Sequence, residues 1–384
     1  MTAAFVSASK SERSCVCVQA VKIGIIGCGN ISEIYLKNAK EFGLNVKRVA
    51  DIDLSRAEQR AHQFAVPYFG SVEELLSDSE VELVINLTVP QVHADVSLQV
   101  LEAGKHVYAE KPIALKLEDA KHLKQVAQKR GLLVGNAPDT FLGGGLQTCR
   151  KLIEDGWIGQ PVSATAFMAG HGPESWHPNP EFFYQVGGGP MFDMGPYYLT
   201  ALVHLMGPVK QVAGMTRITF PERTITSVAK FGQKVQVEIP THVTGLMEFA
   251  SGAIGQMMTS FDIWGSELPR IEVYGTEGTV SVPDPNTFGG PVRFRRRESK
   301  QWDEIPLLYG FTENSRGLGA ADMVQSLRTG EPHRANIDLA LHVLELMHGF
   351  HVASDEKRHY QVESTCDKPQ PFPVGFSKEQ LALL

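Results

Sequence analysis

A short apolar run at residues 21–26 ends in Gly27-Cys28-Gly29-Asn30-Ile31-Ser32. Two glycines one residue apart, after a strand and before a helix, suit a dinucleotide pyrophosphate. Gly27 permits the tight turn. Gly29 lets the backbone approach the phosphates. Asn30 and Ile31 open a helix whose free N–H groups and positive dipole end favour an anion. Ser32 stands where the pattern usually has its third glycine and is small enough for close helix–strand packing. Asp51 comes about 20 residues later, at the end of the next strand, where a carboxylate binds the adenosine ribose and repels a 2′-phosphate. That favours NAD over NADP. Asp53 is an alternative for this role, or the start of the next helix. Arg56 is close enough to leave NADP open.

These residues need a scaffold, and the chain alternates as a parallel sheet demands. Strand-like runs at 21–26, 46–50, 81–87, 106–109 and 132–135 alternate with helical spacing at 31–42, 55–64, 91–103 and 117–129. Gly43, Gly104 and Gly131 stop three of those helices, and Ser55 is placed to cap another. This rhythm predicts a doubly wound α/β Rossmann domain. Asp139 falls just beyond its last strand, on the side where such sheets bind ligands. It is therefore a candidate substrate ligand.

Past residue 140 the period shortens. Alternating runs near 162–167, 209–219, 243–249, 253–260 and 271–274 predict an α+β domain with an open, mostly antiparallel sheet. Helices are expected near 146–155, 194–206, 317–329 and 336–351. The expected organisation is an extension at 1–20, a dinucleotide domain at 21–140, and a substrate-binding and oligomerisation domain at 141–384.

The bulk numbers agree with two domains. The chain has 384 residues, 43% hydrophobic and 21% charged, enough apolar material for full cores. A net charge of −7 argues against nucleic acid or an anionic membrane as the main partner. Arg293, Arg295, Arg296 and Arg297 then read as a solvated strand face or subunit contact. Cys15, Cys17, Cys28, Cys149 and Cys366 are odd in number and scattered, which points to a reducing, cytoplasmic setting. Cys15 and Cys17 lack neighbouring ligands for a metal, and no other metal spacing is present. His342, His348 and His351 sit in an apolar helical stretch and read as core or groove histidines. No signal-peptide core or apolar run of about 20 residues is present.

Three further segments appear in order. Thr88-Val89-Pro90-Gln91-Val92-His93 precedes Ala109-Glu110-Lys111-Pro112. A third, Gly187-Gly188-Gly189-Pro190-Met191-Phe192-Asp193-Met194-Gly195-Pro196-Tyr197, follows. Together they resemble the T-x-P-x-x-H, E-K-P and G-G-G…D-x-G-x-H signatures of the Gfo/Idh/MocA oxidoreductases, over roughly residues 20–365. The resemblance implies NAD or NADP chemistry on a carbohydrate-like small molecule, and a homodimer or homotetramer formed through the open sheet. It implies that Thr88, Pro90 and His93 run along the cofactor. Glu110 and Lys111 should lie near the nicotinamide, and the Lys111–Pro112 bond is a candidate for cis.

On that reading Lys111 is the acid/base. Partial burial beside an oxidised nicotinamide is expected to lower its pKa from about 10.4. Asp193 orients it or holds a substrate hydroxyl, with a helix N-cap as its plain alternative. Tyr197 replaces the usual family histidine and is either a proton relay or a passive wall. The stiff loop 171–180 offers Trp176 to stack on a sugar ring and His177 to bind a hydroxyl; a plain surface loop is the competing reading. A redox-neutral NAD-dependent glycosidase and a non-catalytic dinucleotide-binding regulator are the competing functions.

Overall fold

The computed structural model describes residues 20–383. Cys15, Cys17 and nearly all of the expected extension lie outside the described residues. The first domain runs β1 (Lys22–Ile26), α1 (Ser32–Glu41), β2 (Asn45–Ala50), α2 (Leu54–Phe64), β3 (Tyr68–Gly70) and α3 (Val72–Ser77). It continues through β4 (Leu83–Asn86), α4 (His93–Glu102), β5 (His106–Ala109), α5 (Leu117–Arg130) and β6 (Val134–Asn136). The six strands are parallel in the order β3-β2-β1-β4-β5-β6. Strand order reverses between β1 and β4, which opens a crevice at their carboxyl ends. Ile23, Ile25, Leu83, Val84 and Ile85 are buried, as helices on both faces require.

Two local expectations change. The β3–α3 pair has no counterpart in the periodicity, although Ser71 and Glu74 form both halves of a capping box. Helix α2 is capped by Asp53, whose carboxylate accepts from Ser55 N at 3.1 Å, and not by Ser55.

The second domain follows with α6 (Gly144–Glu154), β7 (Pro161–Ala169), α7 (Gly189–Asp193), α8 (Gly195–Met206) and β8 (Val209–Arg217). A two-stranded hairpin, β9 (Glu222–Thr224) and β10 (Lys234–Gln236), precedes β11 (His242–Phe249) and β12 (Ile254–Ser260). Then come β13 (Ile271–Gly275), β14 (Gly278–Val282), β15 (Val292–Arg296) and β16 (Asp303–Ile305). The chain closes with α9 (Leu318–Thr329), α10 (Ile337–Glu356), β17 (Tyr360–Gln361) and α11 (Lys378–Leu383). Nine strands form one sheet, β16-β15-β14-β13-β7-β12-β11-β8-β17. It is antiparallel except where β7 meets β12. Helices cover one face, with Phe350 of α10 pressed on Gly214 and Gly245. The other face carries Thr165, Thr244, Leu246, Met215 and Met258 and stays open.

Two features position the site. First, the stretch before α9 returns to the Rossmann domain. Asn38 donates to the carbonyls of Asn314 and Arg316 at 2.9 and 2.8 Å. Second, a small separate core of Phe183, Tyr184, Ile225, Val235, Val237 and Phe261 joins the 171–188 stretch to the β9–β10 hairpin.

Candidate active site

The glycine turn has the shape a pyrophosphate needs. Gly27 has φ +100°, and a Cβ there would lie 2.6 Å from the Leu87 carbonyl. Only glycine fits. A Cβ on Gly29 would instead meet nothing within 4 Å, so its open side faces the approach. Among the described residues, the N–H groups of Gly29, Asn30 and Ile31 donate to no protein atom. Three orphan donors at a helix N-terminus make an anion site.

Asp51 stands beside this turn. Its carboxylate accepts from Cys28 N at 2.7 Å and from Asp53 N at 2.9 Å. Burial, and then the Asp51 charge, push the Cys28 thiol up to about 12, so it is inert. Arg56 pairs with Asp53 at 3.2 Å, and Arg60 with Glu33 at 3.1 Å. Both cations near Asp51 already have carboxylate partners.

The Thr88–His93 segment departs from expectation at one residue. The Thr88 hydroxyl donates to Asn86 at 2.7 Å, and Pro90 opens a single 3-10 turn. His93 is buried, with Nδ1 2.7 Å from the Pro112 carbonyl and Nε2 2.9 Å from the Thr88 carbonyl. Burial lowers its pKa. Both ring nitrogens face backbone carbonyls, and the neutral ring donates to one of them, so buried His93 packs between the Thr88 loop and Pro112 and turns neither nitrogen toward a ligand.

Glu110 and Lys111 leave the carboxyl end of β5, and the Lys111–Pro112 bond is cis. Lys111 Nζ donates to the Asp193 carboxylate at 3.0 Å and to the Asp193 carbonyl at 2.6 Å. It also stands 5.1 Å from the centre of the Tyr197 ring. Asp193 is the last residue of α7 and Met194 precedes α8, so the helix-cap alternative for Asp193 does not hold. The break between the two short helices lets residues 193 and 197 flank one ammonium group.

The protein's own groups bias Lys111 toward its charged form. Burial pushes the Lys111 ammonium down. Asp193, Tyr197 and Glu110 push harder the other way and hold it above the ordinary lysine range. In the protein alone Lys111 is therefore protonated. Tyr197 is buried, which raises its phenol, against the lowering influence of Lys111. The lysine meets the ring face rather than the hydroxyl. Beside that hydroxyl stands Arg316, itself held by Asn286 at 2.7 Å and Asn314 at 2.9 Å. Nothing in the local sequence singles out Arg316, because the turn before α9 brings it there.

Asp139 has a different task from the one expected. It is buried, and Oδ2 accepts from Gly317 N at 2.8 Å and Gly319 N at 3.0 Å. It caps α9 from another domain and offers no free oxygen to solvent. Burial pushes its carboxyl up to about 6, against the pull of those two N–H groups. Trp176 is 67% exposed and packs on His177 and Phe183. His177 Nδ1 accepts from Asn179 N at 3.0 Å. Among the described residues, neither side chain hydrogen-bonds or stacks with Lys111, Asp193 or Tyr197.

A Rossmann crevice with orphan donors, and a carboxylate-held lysine at its edge, define a dinucleotide-dependent oxidoreductase. Residues 21–137 match the model of the oxidoreductase family with an NAD-binding Rossmann fold. Residues 146–281 match the GFO/IDH/MocA C-terminal domain. A 1,5-anhydro-D-fructose reductase from Ensifer adhaerens is 31% identical over 245 residues, covering 62% of this chain and 67% of the relative. A myo-inositol 2-dehydrogenase from Thermotoga maritima is 23% identical over 349 residues, 89% of this chain and 99% of its own. A levoglucosan dehydrogenase in complex with NADH shares the fold, with a TM-score of 0.76 at 18% identity over 90% of this chain and all of that one. The chain belongs to the Gfo/Idh/MocA family of NAD(P)-dependent oxidoreductases. No helix among the described residues is long and apolar enough to cross a membrane.

Proposed function

We propose that this chain moves a hydride between NAD and a secondary alcohol or ketone of a sugar, polyol or cyclitol derivative, with Lys111 as the acid/base. The observation that carries this reading is the Lys111–Asp193 contact of 3.0 Å, set where the crevice opens beyond β5. When bound, the nicotinamide supplies or accepts the hydride. Gly27, Gly29, Asn30 and Ile31 hold the pyrophosphate, and Asp51 the adenosine ribose, which favours NAD over NADP. In reduction, protonated Lys111 polarises the carbonyl and donates its proton to the new alkoxide. In oxidation, neutral Lys111 takes the hydroxyl proton. Asp193 orients the amine, and Tyr197 forms a wall of the pocket with its hydroxyl held toward Arg316.

The test supplies NAD, then NADP, with inositols, aldoses, anhydrosugars and glycosides, and NADH with the matching ketones. Reduced-nicotinamide absorbance changing with a carbohydrate supports the reading. Glycoside cleavage without net NADH replaces it with the redox-neutral glycosidase. Bound NAD with no turnover across the panel favours the regulator.

The sign of one pH effect follows from the site. Asp193→Asn removes a carboxylate that raises Lys111, while the residue 193 carbonyl still accepts its 2.6 Å hydrogen bond. The Lys111 pKa then falls. Oxidation needs the neutral amine, so the rising limb of the kcat–pH profile is expected to move about one unit lower. The pair's contribution to stability is complete below lysine's ordinary value and fades only as pH rises through the raised folded value. An unmoved limb in a folded variant would remove Asp193 from the proton chemistry.

The open sheet face, with Met215, Leu246 and Ile254 exposed, is the proposed contact of a homodimer or homotetramer. Light scattering of the purified chain tests this.

A further inference from the structure

Glu110 is fixed at both carboxylate oxygens. Oε2 accepts from the Lys111 backbone N–H at 3.0 Å. Oε1 accepts from the Tyr35 hydroxyl at 2.7 Å. Tyr35 is 2% exposed and lies in the first turn of α1, the helix that opens at the glycine turn. Gly317 packs against its ring, close enough that a Cβ there would lie 3.4 Å away. By periodicity Tyr35 is an ordinary core residue of α1. Its hydroxyl nevertheless crosses from that helix to the end of β5.

We propose that Tyr35 is a positioning residue, which locks the Glu110 carboxylate beside Lys111 and so ties the helix of the glycine turn to the reacting lysine. The proposal rests on Lys111 as the acid/base. A carboxylate in a partly buried site is held in place by its hydrogen-bond donors. Tyr35 provides one side-chain donor and the Lys111 backbone the other. Without the hydroxyl, Oε1 loses its side-chain donor and the Glu110 carboxylate is free to swing away from Lys111. That movement weakens the negative charge that Lys111 feels. The other charged or titratable groups around the pair are Asp193, Tyr197, Asp139, Arg316, Tyr108 and His93. None of them donates to Oε1, so none takes over the task.

The clean variant is Tyr35→Phe, which removes one oxygen and keeps the packed ring. Two readouts separate positioning from bulk stability. The first is acetic anhydride labelling of Lys111 in the cofactor-free protein, followed by mass spectrometry across the alkaline range. Labelling at a given pH is expected to rise about tenfold, the effect of one pKa unit. The second is the kcat–pH profile with NADH and 1,5-anhydro-D-fructose, or whichever panel ketone is turned over. Its limb is expected to move about one unit lower. Glu110→Gln is expected to shift labelling in the same direction, and adding Tyr35→Phe to it should change little further. Unchanged Lys111 labelling in folded Tyr35→Phe overturns the proposal. So does a double variant whose two labelling effects simply add. The labelling needs no turnover, so it stands apart from the chemistry: if Lys111→Met keeps its activity, the assignment of Lys111 has failed while the Tyr35–Glu110–Lys111 linkage is still measured.

Discussion

Lys111→Met is expected to lower kcat by about 10²–10⁴-fold while NAD still binds. Methionine keeps the length and apolar body of the lysine stem, so the crevice stays filled. What disappears is the only ammonium among the described residues in contact with Asp193. In reduction the new alkoxide loses its proton donor, and in oxidation the hydroxyl loses its base. Asp193 orients the amine in this scheme and is left with nothing to orient. Tyr197 is poorly placed as well, since burial raises its phenol and its ring, not its oxygen, faces the lysine. The orphan donors of the glycine turn lie on another loop, so the nucleotide site should survive. Steady-state kinetics together with a fluorescence titration of NADH separate the two effects. A folded variant within tenfold of the parent rate would remove Lys111 from the chemistry. Lys111→Arg is a useful companion. It keeps the charge and the Asp193 pair but cannot release a proton near neutral pH, so reduction and oxidation should both be slowed.

Local signals carried most of the first domain. An apolar run, two glycines, a helix and an acidic strand end lie within a few dozen residues, and each states its own role. The β3–α3 pair escaped because Tyr68 and Phe69 are exposed, so the short strand shows no alternation. Strand β15 was legible in part. Val292 and Phe294 are buried between exposed Arg293 and Arg295, a clean two-residue period. Arg293, Arg295 and Arg296 thus lie on a solvated strand face, one of the two readings given to that run. At the site, motif spacing brought Lys111, Asp193 and Tyr197 together. Three polar residues could not be placed the same way. Whether Asp139, His93 or Tyr35 faces a ligand or the protein depends on segments distant in sequence. Asp139 meets Gly317, His93 meets the Pro112 carbonyl, and Tyr35 meets Glu110. Type and spacing show that a side chain can do chemistry, whereas tertiary partners decide whether its polar atoms are already spent.

The largest stability effect is expected at Arg223, far from any motif. Its side chain is 4% exposed, with 2.7 Å to the Glu174 carboxylate and 2.5 Å to Asp262. It also donates to the carbonyls of Phe261 at 2.7 Å and His171 at 3.0 Å. One guanidinium thus joins the 171–174 turn, β9 and the end of β12. Arg223→Met leaves two buried carboxylates without their cation, which costs about 3–5 kcal/mol. The surrounding core holds six large apolar side chains, too few to absorb such a loss. Damage should stay local at first, because the Rossmann sheet has its own core. Hydrogen exchange is therefore expected to quicken across residues 171–188 and 222–240 while β1 and β4 remain protected. Turnover should fall too, since a Cβ on Gly189, at the start of α7, would lie 2.6 Å from Ile239 beside that hairpin, and α7 carries Asp193. Urea denaturation gives the stability change. Arg223→Met/Glu174→Gln/Asp262→Asn removes the stranded charges and should recover part of the loss. A single variant that costs less than about 1 kcal/mol, the range of a surface ion pair, would mean that Arg223 does not brace this region, and the path from the hairpin to Asp193 would have to run through apolar packing alone.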